Sequence, residues 1–223
     1  MGYEKKIICL ANSKKMSGRC IAGKEMVNGQ YGQWIRPVSD RKEGEISEEE
    51  QMFADGSYPQ ILDIISIKLL KPLVYKYQTE NHLIDNKVHW GKKDVEIWDN
   101  LEQIKDEPSK LWLNGYSSPN GENDRIPEDE ASELKTSLFL IYVQSIKVHV
   151  YTDFYKRKIR ALFIYNKHKY NFSITDPKVE SYFFKKQDGK YQLNSLYLCI
   201  SISEPFKGYC YKLIASMVTN PLF

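Results

Sequence analysis

At 223 residues, with 42% hydrophobic and 13% aromatic content and 16 tyrosines, the chain is long enough to bury one large core or two small ones, which excludes a disordered polypeptide. No apolar run approaches the roughly 18 residues that span a bilayer, and the first short one, IICLA, is too brief for a signal-peptide core and is followed by Lys14 and Lys15. Four cysteines are too few for a disulfide scaffold, so the expectation is a cytoplasmic protein with reduced thiols.

The formal net charge of +3 conceals a strong alternation along the chain. Residues 1–42 hold nine Lys/Arg against three Asp/Glu, 43–64 none against seven, 65–93 six against two, 94–135 four against twelve, and 136–223 thirteen against five. Basic blocks of strand-like character alternate with acidic blocks of helical or loop character.

In chain order, KKIICLANS is the first expected strand, rich in β-branched residues. The next stretch, GRCIAGKE (residues 18–25), has the outline of a phosphate-binding loop. That loop needs Ser or Thr after its lysine to ligand magnesium, and a helix behind it. Here Glu25 follows, and Asn28-Gly29 signals a hairpin turn, so GRCIAGKEMV is predicted as a second strand and QYGQWIRPVS as a third. SEEEQMF is a short helix with Ser47 as N-cap and Glu50 as its capping-box partner, and ILDIISIKLL is a further strand. DVEIWDNLEQIKDE places Val95, Trp98, Leu101 and Ile104 at helical spacing before Pro108, predicting a helix with one apolar face.

Residues 114–133 combine Gly, Pro, Asn and acids and read as a loop and domain boundary. Strand character returns in SLFLIYVQSIKVHVY, in KIRALFIYNKHKYNFSI with a hairpin near Asn166, and in SLYLCISI. Between the last two, Asp176-Pro177 is an N-cap with proline at the first helical position. ICLANSKKMSGRCI aligns without a gap on LCISISEPFKGYCY, matching Cys9 with Cys199 and Cys20 with Cys210. The alignment predicts one repeated unit of strand, eight-residue connection and strand.

The motifs CLANS, GRCIAGKE and WIRPVS near the N-terminus, followed by TDP, SEPF and GYCYKLIA near the C-terminus, resemble the bacterial dual OB-containing domain family in content and order. The resemblance spans nearly the whole chain. It implies a mainly β fold of two OB-like barrels, a role in binding nucleic acid and a link to bacterial conflict with phage, and it assigns no residue a role. Combined with the boundary above, it divides the chain into a first OB-like barrel with its packed helix (1–113), an acidic linker (114–135) and a second OB-like barrel (136–223).

Candidate site residues follow from their chemistry. Trp34 and Arg36 are two apart in QWIRP and share one strand face; the pair either stacks a base and meets its phosphate or is a core-rim ring with an arginine lying over it. Lys14, Lys15, Arg19 and Lys24 are either phosphate contacts or a solvated face. Lys156, Lys158 and Arg160 alternate along one strand, and with Lys167, Lys169 and Tyr170 on the next they either track a nucleic-acid backbone or protect an edge strand.

Ten residues separate the cysteines of each pair, against about two to four in zinc sites, so neither metal nor cofactor is expected. No nucleophile elbow, paired-carboxylate motif or dinucleotide loop is present. The reading is a non-catalytic protein that binds single-stranded nucleic acid or a nucleotide-like ligand. The alternatives are a protein-interaction module of a defence system, with a tyrosine-rich surface, and an enzyme acting on nucleotides or modified bases.

Overall fold

The computed structural model describes residues 2–223 and divides into two units. One holds the residues up to Ile104 together with Lys135–Ser137, and the other holds Lys105–Leu134 and Leu138–Phe223. Of the segment expected as an acidic linker, residues 114–134 fall inside the second unit and Lys135 in the first.

The first unit contains β1 (Tyr3–Lys15), β2 (Gly18–Val27), β3 (Gln30–Val38), α1 (Glu48–Gln51), β4 (Asp63–Pro72), β5 (Asn81–Ile84), β6 (Gly91–Val95), a 3-10 turn at Trp98–Asn100, and α2 (Leu101–Ile104). β1 pairs with both β2 and β4, β2 with β3, β3 in parallel with β5, and β5 with β4. The five pairings close a ring, with β6 added outside β4. Ile7, Ile21, Ile35, Ile65, Leu69 and Trp90 fill its interior.

The second unit contains β7 (Arg125–Pro127), α3 (Glu128–Ser132), β8 (Leu138–Asp153), β9 (Lys156–Tyr165), β10 (His168–Ile174), α4 (Pro177–Phe184), β11 (Gly189–Ile202) and β12 (Tyr209–Val218). β8 pairs with β9 and β11, β9 with β10, β10 in parallel with β12, and β12 with β11. This ring repeats the connectivity of the first, and in each the helix after the third strand (α1, α4) leads to the fourth. Two OB-like units on a mainly β chain are what the resemblance implied.

Local chemistry explains where these elements start and stop. Ser47 Oγ accepts the Glu50 N–H and Glu50 Oε2 accepts the Ser47 N–H, closing the expected capping box. Asp176 caps α4 by accepting from the N–H groups of Lys178 and Val179, and its second oxygen accepts from Met217 N–H. GRCIAGKE is strand throughout. Gly23 is there because a Cβ would stand 1.9 Å from the Ile8 carbonyl oxygen on β1, a contact no side chain tolerates.

Two expectations are corrected. The helix drawn from Asp94 to Pro108 is confined to residues 98–104, because Val95 pairs with Asp63 in the sheet and the buried Glu96 accepts from Ile97 N–H and Asn100 Nδ2, so that helical structure begins only behind it. The aligned cysteine units are both hairpins, but β1–β2 are the first and second strands of their ring whereas β11–β12 are the fourth and fifth. One turn has two residues and the other has six, and Cys9 lies opposite Gly23 while Cys199 lies opposite Ser216. The true counterpart of β1–β2 is β8–β9, which shares no such motif.

The hairpin turns differ in their chemistry. Asn28-Gly29, and Lys207-Gly208 at the tip of the six-residue β11–β12 connection where Phe206 bridges Tyr209, hold left-handed φ (+51°, +76° and +52°, +78°), as two-residue turns prefer. The β8–β9 turn places Phe154 and Tyr155 there instead, at φ +46° and +61°, where an ordinary L-residue is strained by about 1–2 kcal/mol.

Candidate functional site

In β8, Ile146, Val148 and Val150 point inward while Lys147, His149 and Tyr151 point outward. The strand pairings carry that outer face sideways: Lys158 stands opposite Tyr151, and Arg160 and Lys190 flank His149 on the two neighbouring strands. The His149 and Tyr151 rings stack on each other, with centroids 4.9 Å apart. The result is one sheet surface on which aromatic rings sit among cations. At its β9–β10 side a cleft of about 340 Å³ is lined by Asn120, Tyr151, Lys158, Arg160, Ser173 and Glu180.

The charges on this face are held in different ways. Arg160 is clamped: its guanidinium donates to Asp124 Oδ2 at 2.7 Å, Ser173 Oγ at 2.8 Å and the Asn171 carbonyl at 2.6 Å. Asp124 is fixed in turn by the N–H and hydroxyl of Ser118, with Gly121 packed so close that a Cβ would sit 1.8 Å from its carboxylate. Lys158 is exposed and hydrogen-bonds Asp153, which raises its pKa above the usual lysine value. Lys147, Lys156 and Lys190 are exposed. Lys169 pairs with Glu122 at 2.6 Å.

Tyr170 does not belong to this surface. It is fully buried against Phe163 and Phe172, and its hydroxyl accepts from Leu111 N–H and Asn114 Nδ2. Strand alternation from Lys169 sends its neighbour inward.

In the first unit, Trp34 and Arg36 leave β3 on the side opposite the core residue Ile35, as expected, but that side is covered by the unit's own chain. Arg36 is 3% exposed and pairs with Glu80 at 3.0 Å, with further bonds to Ser137 Oγ (2.8 Å) and Asn81 Oδ1 (3.3 Å). Its guanidinium is used within the fold. Trp34 is half-buried beside Lys24, whose ammonium lies 5.5 Å from the indole centroid and donates to the Ile104 carbonyl at 2.6 Å. Lys14 and Arg19 face each other across the β1–β2 hairpin near Lys15, in a different unit from the β8–β9 surface.

A family model for a dual OB-containing domain matches residues 5–217. The chain belongs to the dual OB-containing domain family. Searches of curated proteins and of solved structures found no match. Membership makes the chain an OB-fold binding module, and the match takes in strands from both rings of this dual OB-containing domain. No helix among the described residues is long and apolar enough to cross a membrane. No group of three or more His, Cys, Asp or Glu among them could hold a metal ion, and none of the four cysteines is in a disulfide.

Of the residues picked from this dual OB-containing domain's sequence, Lys156, Lys158 and Arg160 do lie on one strand. The strand before it carries a matching signal in the sequence, since Lys147, His149 and Tyr151 alternate in KVHVY with the same period. Lys190 comes into place only through the β8–β11 register.

Proposed function

We propose that the outer face of β8, β9 and β11 binds single-stranded nucleic acid or a nucleotide-like ligand, without catalysis. The observation that carries this reading is the stacked His149–Tyr151 pair set among Lys147, Lys158, Arg160 and Lys190 on one sheet surface. Aromatic rings accept bases by stacking whatever their sequence, and surrounding cations follow the phosphates. Arg160, anchored by Asp124, is a positioned charge, while the exposed lysines adapt to the backbone.

The test is binding of labelled DNA and RNA oligonucleotides and of free nucleotides across a salt series. With about four phosphate contacts on a single strand, log K falls against log salt with a slope near −3. Lys158→Ala and Lys190→Ala each flatten that slope by about 0.7. Tyr151→Ala costs about 1–3 kcal/mol of affinity with the slope kept, because it removes stacking and no charge. Affinity that ignores salt and survives these changes would overturn the proposal and favour a protein-interaction module.

A further inference from the structure

Two-residue hairpin turns with both residues left-handed favour Asn-Gly, since a short polar side chain or none meets the least steric resistance. The β8–β9 turn instead carries Phe154 and Tyr155, at φ +46° and +61°. Neither ring is paid back by burial: Phe154 is 88% exposed and Tyr155 is fully exposed. Two large rings thus stand in solvent on a turn whose left-handed backbone suits Asn and Gly, and the fold gains no burial from them. Such local strain is kept where it serves a site.

The surroundings indicate an anionic occupant. Lys156 follows the turn directly and Lys158 lies two residues on. Arg157 donates to the Phe184 and Lys186 carbonyls and to Asp188, tying the end of α4, with Lys185 and Lys186, to this end of the unit. Lys190 lies opposite His149. Asp153 and Asp188, the carboxylates at the turn and at the end of α4, are already bonded to Lys158 and Arg157. Tyr151 and His149, whose rings stack on each other, lie three and five residues before Phe154 on the strand that leads into the turn. A wedge for lipid needs only a tip, whereas a strand of bases needs a track.

We infer that the Phe154–Tyr155 turn is a stacking tip that takes unpaired bases and so selects single-stranded over duplex nucleic acid. This rests on the binding reading above. Bases inside a duplex offer the rings no free face, whereas an unpaired base stacks on them without regard to sequence. The turn fixes the backbone beneath both rings, so little backbone freedom is lost on binding.

The experiment uses the full chain, a fluorescent 15-nucleotide oligo(dT), a duplex of equal length, and phosphatidylserine-containing vesicles. The double variant Phe154→Asn/Tyr155→Gly supplies the preferred turn residues, so it melts no lower than the parent. It is expected to lose about 10- to 100-fold in oligo(dT) affinity while its weaker duplex binding is unchanged. Phe154→Tyr and Tyr155→Phe keep the affinity. If the parent binds oligo(dT) and the double variant binds it equally well, the tip is not used and only this inference falls. If the parent binds no oligonucleotide at all, the reading beneath it falls as well. Tip-dependent vesicle binding without oligonucleotide binding would make the turn a membrane wedge and overturn the inference.

Discussion

Arg36→Ala is expected to destabilise the first unit by about 3–5 kcal/mol, read as a lowered midpoint in urea denaturation. Arg36 and Glu80 are each about 4% exposed in their side chains and meet at 3.0 Å. Ser137 Oγ accepts from the guanidinium and donates to Glu80 Oε1, closing a three-membered network. Removing the arginine leaves a carboxylate buried without its cation, which costs far more than the pair itself contributes. Replacing both partners by apolar residues, as in Arg36→Met/Glu80→Leu, should therefore recover most of the loss. A single-variant loss below ~1 kcal/mol would show the pair to behave as a surface ion pair does.

The second large effect depends on pH. Lys212 lies on the inward side of β12, 1% exposed, with its ammonium donating to the Leu113 carbonyl and lying 5.7 Å from the Tyr170 ring centroid. Burial pushes its pKa down to about 7, against a smaller upward pull from Asp124. In the unfolded chain the group titrates near 10.4. Between those values the unfolded state holds the extra proton, so stability rises as pH increases from about 7 towards 10, and below 7 the full penalty of a buried charge remains. The rise has a ceiling of ~5 kcal/mol at about 1.4 kcal/mol per pH unit. Urea midpoints measured from pH 6 to 10 should climb for the parent and stay nearly level for Lys212→Met. A flat parent profile would mean that water reaches the ammonium.

The strands were legible because their alternation and turn residues act locally: Asn28-Gly29 and Asp176-Pro177 need no distant partner to do their work. The ends of the 94–108 helix were not, since it is the pairing of Val95 with Asp63 that decides them. The candidate site divides along the same line. The stripe on β9 could be read from one strand's period, but whether a cation is free or used inside the fold depends on chain far away. Arg36 meets Glu80 and Ser137, and Arg160 meets Asp124, across gaps of 36 to 101 residues. Tyr170 misled for the opposite reason, because a tyrosine on an alternating strand is as good a core residue as a surface one.

The placement of Lys135–Ser137 with the first unit rather than the second bears on how such a protein can be divided or evolve. Ser137 supplies a hydroxyl to the Arg36–Glu80 network from a point in the chain beyond thirty residues of the other unit. A fragment ending at Ile104 would keep every strand of its ring and lose that hydroxyl. The halves are thus not interchangeable cassettes: a gene fusion that joined residues 1–104 to a foreign partner would have to supply a substitute donor for Glu80, or accept a weakened first half.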